Sequence, residues 1–359
     1  MLNSSIITSW PLSLGQGSGT ALFVRSIEGA LHHAGIAVEL INPILDTADY
    51  TRFTLERLWF NIQLASDPRV AQADWILGLD YDGFAIPRRP NQRFIATARA
   101  VFADLVDTEP EPFRTMLRTQ AFFEGHNLRT AELVITPSEY ARQKVIDYYQ
   151  VAARQVHAVP NGIDLAEWDR LWASLPDPEP DRRPTLLAVS KLYPRKKIAT
   201  LVRAAPLIAR AYPDVDVRIV GAGFEWDALQ RLTDASGARS TITWLSDIDD
   251  RRQVVAEFKR CHVFTHPSIQ DAFANVCLES MASARPLVVS DAASMPAMVR
   301  AANSGLVVSP DDPEELAAAV CRLFADDQER LALGKNGRCY AEGMTWQRTA
   351  EQFIRLVQR

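Results

Sequence analysis

The residue types that could do chemistry in this chain gather in three stretches. In His266–Ala282, Asp271 follows a short apolar run, and Glu279 is the one charge in a helical pattern of apolar and small residues. A glutamate buried there costs desolvation unless a partner or a ligand meets it, the alternative being a half-exposed glutamate on a surface helix. Asn275 lies four positions before Glu279, so a helix presents both on one side, where free N–H groups near Phe273, Ala274 and Asn275 also face. The second stretch, Lys191-Leu192-Tyr193-Pro194-Arg195-Lys196-Lys197, sets cations at the start of a predicted helix. They oppose the helix macrodipole, an arrangement that suits an arriving anion, or else they form a solvated turn. The third, Gly17-Ser18-Gly19, offers backbone N–H groups to a phosphate or carboxylate, or is an ordinary tight turn. It lacks the Lys-Ser/Thr of a P-loop.

Other candidates are weaker. Asp-x-Asp occurs at Asp80/Asp82, Asp214/Asp216 and Asp247/Asp249, and only the first follows a strand end where it could line a ligand site. No histidine stands at helical spacing from Asp271 or Glu279, so no metal is expected. Of the scattered histidines, His126 is the one nearest the loops of the first half. Arg88, Arg89 and Arg93 form a basic patch that suits an anionic lipid surface or a lipid-linked acceptor, or a solvated loop.

These stretches sit on strongly alternating elements. The N-terminal half reads as strand Leu2–Ile7, helix Thr20–His33 closed by Gly35, and strands at Ala37–Ile41, Trp75–Leu79, Phe94–Thr97 and Leu133–Thr136, with helices between. Pro176–Pro184 packs four prolines into nine residues and reads as a linker. Alternation then restarts with strands Thr185–Ser190, Val215–Val220, Thr241–Leu245, Val263–Thr265, Leu287–Ser290 and Gly305–Val308, and ends in helices from Pro313. The fold class is therefore α/β, with two parallel sheets facing across a cleft, where ligands sit beyond strand carboxyl ends.

At 359 residues the chain is long enough for two domains. Its 39 Lys+Arg against 44 Asp+Glu argue against a broad nucleic-acid-binding surface. The four cysteines, Cys261, Cys277, Cys321 and Cys339, lack paired metal or redox spacing. With neither a signal-like start nor a long apolar run, the expected compartment is cytoplasmic, with peripheral contact at the inner face of the membrane as a further expectation.

The order Lys191-Leu192-x-x-x-Lys196, Val220-Gly221-Ala222-Gly223, Pro267-Ser268-x-x-Asp271-x7-Glu279-Ser280-Met281-Ala282 and Gly305-Leu306-Val307-Val308 resembles retaining family 4 glycosyltransferases of the GT-B fold. Thr136-Pro137-Ser138-Glu139-Tyr140 and Val159-Pro160-Asn161-Gly162-Ile163-Asp164 resemble the same family's segments before and at the domain junction. The resemblance implies two Rossmann-like domains: 1–165 on the acceptor side, a linker at 166–184, a donor-binding domain at 185–340, and a C-terminal helix, 341–359, crossing back to the first. It also implies metal-independent, retaining transfer of a sugar from a nucleoside diphosphate sugar to a glycan, lipid-linked or small-molecule acceptor, as in polysaccharide biosynthesis. No cofactor is implied beyond that co-substrate.

Roles follow from matching positions. Glu279 matches the acid that binds the nucleotide ribose, Asp271 the acid that contacts the donor sugar, and Lys191 with Lys196 the cations that neutralise the diphosphate. Gly17, Ser18 and Gly19 match the first-domain glycine loop; Phe273, Ala274, Asn275, Gly221, Gly223 and Leu245 complete the donor side. Arg99, Asp82 and His126 are expected on the acceptor side. The chain departs from the family where Asp271 replaces Glu, Lys191 replaces Arg, Ala293-Ser294-Met295-Pro296-Ala297 replaces Gly-Gly-x-Pro-Glu, and Arg99 stands where a histidine is usual. Two other classes remain open: a catalytically silent nucleotide-sugar-binding subunit, and another GT-B activity such as a nucleotide-sugar epimerase.

Overall fold

The computed structural model describes residues 3–12, 18–45, 49–178, 183–246, 248 and 250–358. The chain forms two units, Met1–Gly162 together with Trp346–Arg359, and Ile163–Thr345.

The first unit runs β1 (Asn3–Ile7), α1 (Ser18–His33), β2 (Ala37–Ile41), α2 (Tyr50–Leu64), α3 (Pro68–Gln72), β3 (Trp75–Leu79), β4 (Arg93–Thr97), α4 (Phe102–Leu105), α5 (Phe113–Thr130), β5 (Leu133–Thr136), α6 (Glu139–Tyr149) and β6 (Val156–Ala158). Its six strands pair in parallel in the order β2-β1-β3-β4-β5-β6. Every residue of β3 is buried, as expected of a strand covered on both faces. The chain order reverses between β1 and β3, so the loops after these two strands flank the position where open α/β sheets bind ligands.

The second unit runs α7 (Leu165–Ala173), β7 (Thr185–Val189), α8 (Ile198–Ala211), β8 (Asp216–Val220), α9 (Trp226–Ala235), β9 (Ile242–Leu245), α10 (Arg251–Arg260), β10 (Val263–His266), α11 (Asn275–Ala282), β11 (Leu287–Ser290), α12 (Met295–Ala302), β12 (Gly305–Val308), α13 (Pro313–Ala325) and α14 (Asp327–Glu342). Its parallel sheet has the order β12-β11-β10-β7-β8-β9, so here the reversal falls between β10 and β7. The loops after those two strands carry Lys191–Lys197 and Pro267–Ala274. Ile198, Leu201, Val202, Ala205 and Ile208 bury one stripe of α8 in the same core as Leu316 and Val320 of α13.

The last helix, α15 (Trp346–Val357), belongs to the first unit, as expected of the C-terminal segment. Trp346, Ala350, Phe353 and Val357 recur at helical spacing and are buried in the core that holds Phe23 and Trp75. The ring centroid of Phe353 lies 6.1 Å from that of Trp75, and that of Trp346 lies 6.3 Å from Phe23. The segment expected as linker, 166–184, holds most of α7. Leu165–Ala173 is helical because Asp164 caps it, accepting from the Glu167 N–H at 2.9 Å, and Trp168 buries against Phe258. Residues Ala341–Thr345 stay with the second unit, where the Ile163 N–H donates to the Met344 carbonyl at 2.8 Å.

Candidate functional site

At the reversal of the second sheet, two loops close on one another. The strand β7 is followed by Ser190–Tyr193 and a single tight turn, Pro194–Lys196, before α8. The Ile269 N–H donates to the Arg195 carbonyl at 2.9 Å, which staples the loop after β10 onto that turn. Lys196 Nζ thereby reaches Asp271 Oδ2 at 2.6 Å, across 75 positions of chain. His266, the last residue of β10 and 2% exposed, places Nε2 3.1 Å from the same oxygen. With Asp271 ionised, that nitrogen carries the hydrogen and donates it.

The electrostatics of this triad are set by competing terms. Burial disfavours charge on Asp271, but the Lys196 ammonium and the His266 hydrogen bond overcome it and hold the carboxyl well below the usual carboxylate range. Burial also pulls His266 below the ordinary histidine value, so its ring is neutral near pH 7. Lys197 is answered separately by Asp311 at 3.0 Å. Two of the cations that oppose the α8 macrodipole are thus met by carboxylates of the chain itself. Lys196 has three N–H donors, and one pair with Asp271 leaves capacity for an anion.

Glu279 sits one turn into α11, 8% exposed, and Arg251 Nη1 meets its Oε1 at 3.2 Å. Burial raises the Glu279 pKa, and the Arg251 charge works against that rise. Asn275 opens α11 after Ala274, which supplies no side-chain cap to the helix start; Phe273 and Asn275 are half-buried and Ala274 is buried. Gly221 and Gly223 are required sterically. Gly221 has φ +149°, and a Cβ there would strike the Ser190 carbonyl, while one at Gly223 would strike the Leu192 backbone. The loop after β8 therefore lies flat on the loop after β7, with Leu192 N–H donating to Ala222 at 2.9 Å and Gly221 N–H to Leu245 at 3.1 Å. Tyr193 stacks on Phe224 at 4.9 Å, adding an aromatic pair that sequence reading does not single out. Lys191 is half-buried at the mouth of β7.

The first unit treats its expected residues differently. Asp82 is 0% exposed and accepts from Ser9 N, Ser9 Oγ and Asn61 Nδ2 at 2.6, 2.6 and 2.8 Å. Asp80, at φ +54°, accepts from Trp10 Nε1 and Arg99 N, both at 2.8 Å. Both carboxyls brace the loops after β1 and β3 from inside, and burial raises the pKa of each. Arg99 lies 3.9 Å over the Phe23 ring and donates to Asn161, and burial pulls its pKa down to about 9. His126 is exposed along α5, so it does not join Asp82 and Arg99. Of the basic patch, Arg88 donates to Gly83, Ile86, Asn127 and Thr130, and Arg93 pairs with Glu132 at 2.7 Å. Gly17 lies outside the described residues; Ser18 and Gly19 begin α1.

Sequence reading also leaves out Arg251 and Trp168, and quotes His266 without a role. A histidine directly before Pro267-Ser268, five positions ahead of Asp271, is the signal that could have found His266. Among the described residues, no group of three or more His, Cys, Asp or Glu side chains could hold a metal ion, and no helix is long and apolar enough to cross a membrane.

Residues 18–167 match the family described as glycosyltransferase family 4, and residues 176–339 match glycosyl transferases group 1. A D-inositol 3-phosphate glycosyltransferase of Corynebacterium urealyticum is 28% identical over 47% of this chain and 41% of its own. A phosphatidyl-myo-inositol mannosyltransferase of Mycolicibacterium smegmatis is 28% identical over 56% of this chain and 51% of its own. The chain thus spans about half the length of these curated relatives. Among solved structures, sucrose-phosphate synthase from Thermosynechococcus elongatus has TM-score 0.81 at 20% identity, covering 100% of this chain and 98% of that one. Anabaena Alr3699/HepE in complex with UDP and glucose has TM-score 0.71 at 18% identity, covering 100% of both chains. Both share the fold.

Proposed function

We propose, from the premise that this chain belongs to the GT-B glycosyltransferases related to glycosyl transferases group 1 and family 4, that its second unit binds a nucleoside diphosphate sugar and that the sugar is transferred with retention. The observation that carries this reading is the Lys196–Asp271–His266 triad at the sheet reversal, with Glu279 following on α11. The relative that holds UDP and glucose has the same fold, and the inositol-directed relatives make a polyol phosphate or its lipid the first acceptors to test.

In this reading Glu279 accepts the ribose hydroxyls and Asp271 accepts hydroxyls of the donor sugar. Lys196, with Lys191, faces the diphosphate. As the bond from the anomeric carbon to the diphosphate oxygen breaks, negative charge grows on that oxygen. Fixed ammonium groups and the positive N-terminal end of α11 stabilise it without reorganising. The acceptor oxygen bonds to the same face of the anomeric carbon, and its proton passes to the departing phosphate oxygen. Asp271, short by one methylene, is held in place from two sides by Lys196 and His266, which sets where the sugar hydroxyls lie. Acceptor recognition falls to the first unit, with Arg99 as its cation. Peripheral contact with an anionic membrane accompanies this reading where the acceptor is a lipid.

The test is thermal stabilisation of the full chain by UDP, GDP and ADP, with and without EDTA, for the unchanged protein and Glu279→Ala. A ligand at 100 times its Kd adds about 2.7 kcal/mol. One nucleotide should stabilise, EDTA should leave the shift intact, and Glu279→Ala should lose it. No shift with any nucleotide at millimolar concentration would refute the donor site.

A further inference from the structure

We infer that Arg251 is the positioning residue for Glu279, presenting its carboxylate, ionised and fixed in direction, to the nucleotide. The inference rests on the donor-site reading above and adds a residue to it.

The start of α10 breaks a local rule. Arg251 and Arg252 open the helix, where two cations oppose its dipole, although Asp250 caps it by accepting from the Arg252 N–H at 2.8 Å. A residue placed against local preference needs a compensating contact elsewhere. Arg252 turns to the Ser174 carbonyl at 3.1 Å, whereas Arg251 turns to Glu279. The Arg251 guanidinium also lies 5.1 Å over the ring of Trp168, on α7. Trp168 is itself 1% exposed, and its Nε1 donates to Ser283 Oγ at 3.1 Å. Glu279 lies on α11, and Ser283, one turn on, is the residue that ends it. Two contacts, one ionic and one neutral, therefore tie α11 to α10 and α7 at successive turns and fix its rotation.

The partnership matters because of where Glu279 lies. Its neighbours Leu278, Ser280 and Met281 are buried, and an isolated carboxylate in such a place takes up a proton rather than stay charged. A protonated acid is a poorer acceptor for ribose hydroxyls. Among the described residues, the other titratable groups nearby do not replace Arg251. Cys277, on the same helix, is held as a thiol by burial. Lys196 and His266 are engaged with Asp271, and Arg338, from α14, is engaged with Asp169 and Glu342. Loss of Arg251 thus removes the charge that works against burial, and the Glu279 pKa rises further.

The experiment is calorimetric binding of UDP, GDP and ADP to the full chain between pH 5.5 and 9, for the unchanged protein, Arg251→Met, Arg251→Lys and Glu279→Gln. Taking each variant's affinity relative to the unchanged protein at the same pH removes the titration of the nucleotide. For Arg251→Met the relative affinity should fall about tenfold per pH unit below the new Glu279 pKa and recover toward pH 9. Arg251→Lys, which keeps the charge, should restore most of the loss at low pH. Glu279→Gln should be weaker by one factor at every pH. Unchanged binding by Arg251→Met, or a loss of equal size at every pH, would overturn the inference while leaving the donor site standing. Failure of the unchanged protein to bind any of the three would overturn both.

Discussion

Replacing Lys196 with methionine removes a charge while nearly keeping the length of the side chain, so the Asp271 carboxylate loses its ionic partner without a large void opening beside it. Breaking a fully buried ion pair costs about 3–5 kcal/mol, because one charge is left without its partner. Here the side chains of Lys196 and Asp271 are 13% and 18% exposed, and Asp271 keeps its His266 hydrogen bond. We therefore expect about 2–3 kcal/mol at pH 7.5. For a unit of this size that lowers Tm by about 4–12 °C. The pH dependence carries the sharper test. In the unchanged protein the folded pKa of Asp271 lies below its unfolded value, so the stabilisation is complete above the unfolded carboxylate range, near pH ~4, and fades only below it. In Lys196→Met, burial dominates, the folded pKa rises above the unfolded one, and stability falls as pH rises through the gap between them. The deficit should therefore grow from pH 4.5 to pH 8. Scanning calorimetry of both proteins across that range measures it, and donor turnover should fall about 10²–10³-fold in parallel. A deficit that is constant with pH, or larger in acid, would refute the pairing as the source of the effect.

Three further outcomes are expected. His266→Leu should lower kcat for transfer about tenfold with a smaller change in donor KM, and Asp271→Glu in the same chain should recover part of it by restoring the longer acid; steady-state kinetics of the single and double variants decide this. Asp82→Asn should destabilise the first unit by about 1–3 kcal/mol in denaturant unfolding, through loss of charged hydrogen bonds to Ser9 and Asn61, while nucleotide affinity of the folded protein stays unchanged. Phe353→Ala should cost about 3–5 kcal/mol by opening a cavity beside Trp75, seen as a lowered urea midpoint.

The alternation of apolar runs and helical stretches made both sheets legible, since strands buried on both faces read as continuous apolar segments. β6 was not: Val156–Ala158 is three residues with a histidine at its centre, and it pairs only because β5 lies beside it. α7 was hidden next to a proline-rich run, although Asp164 followed by Glu167 is a capping signal. Within the site, the spacing of Asp271 and Glu279 exposed both acids. Their partners, Lys196 and Arg251, stand 75 and 28 positions away, so only tertiary structure joins them. Asp82 shows the reverse. A loop carboxylate after a strand reads as a ligand residue until Ser9 and Asn61, remote in sequence, are seen to close over it.

Whether the second unit supports retaining transfer is decided by proton NMR of the unchanged protein turning over UDP-, GDP- and ADP-sugars with glycan and polyol phosphate acceptors. We expect release of one nucleoside diphosphate together with a new glycosidic bond of the donor's own anomeric configuration, insensitive to EDTA and lost in Glu279→Ala. An inverted product, or a glycosidic product that Glu279→Ala forms as fast as the unchanged protein, would contradict it.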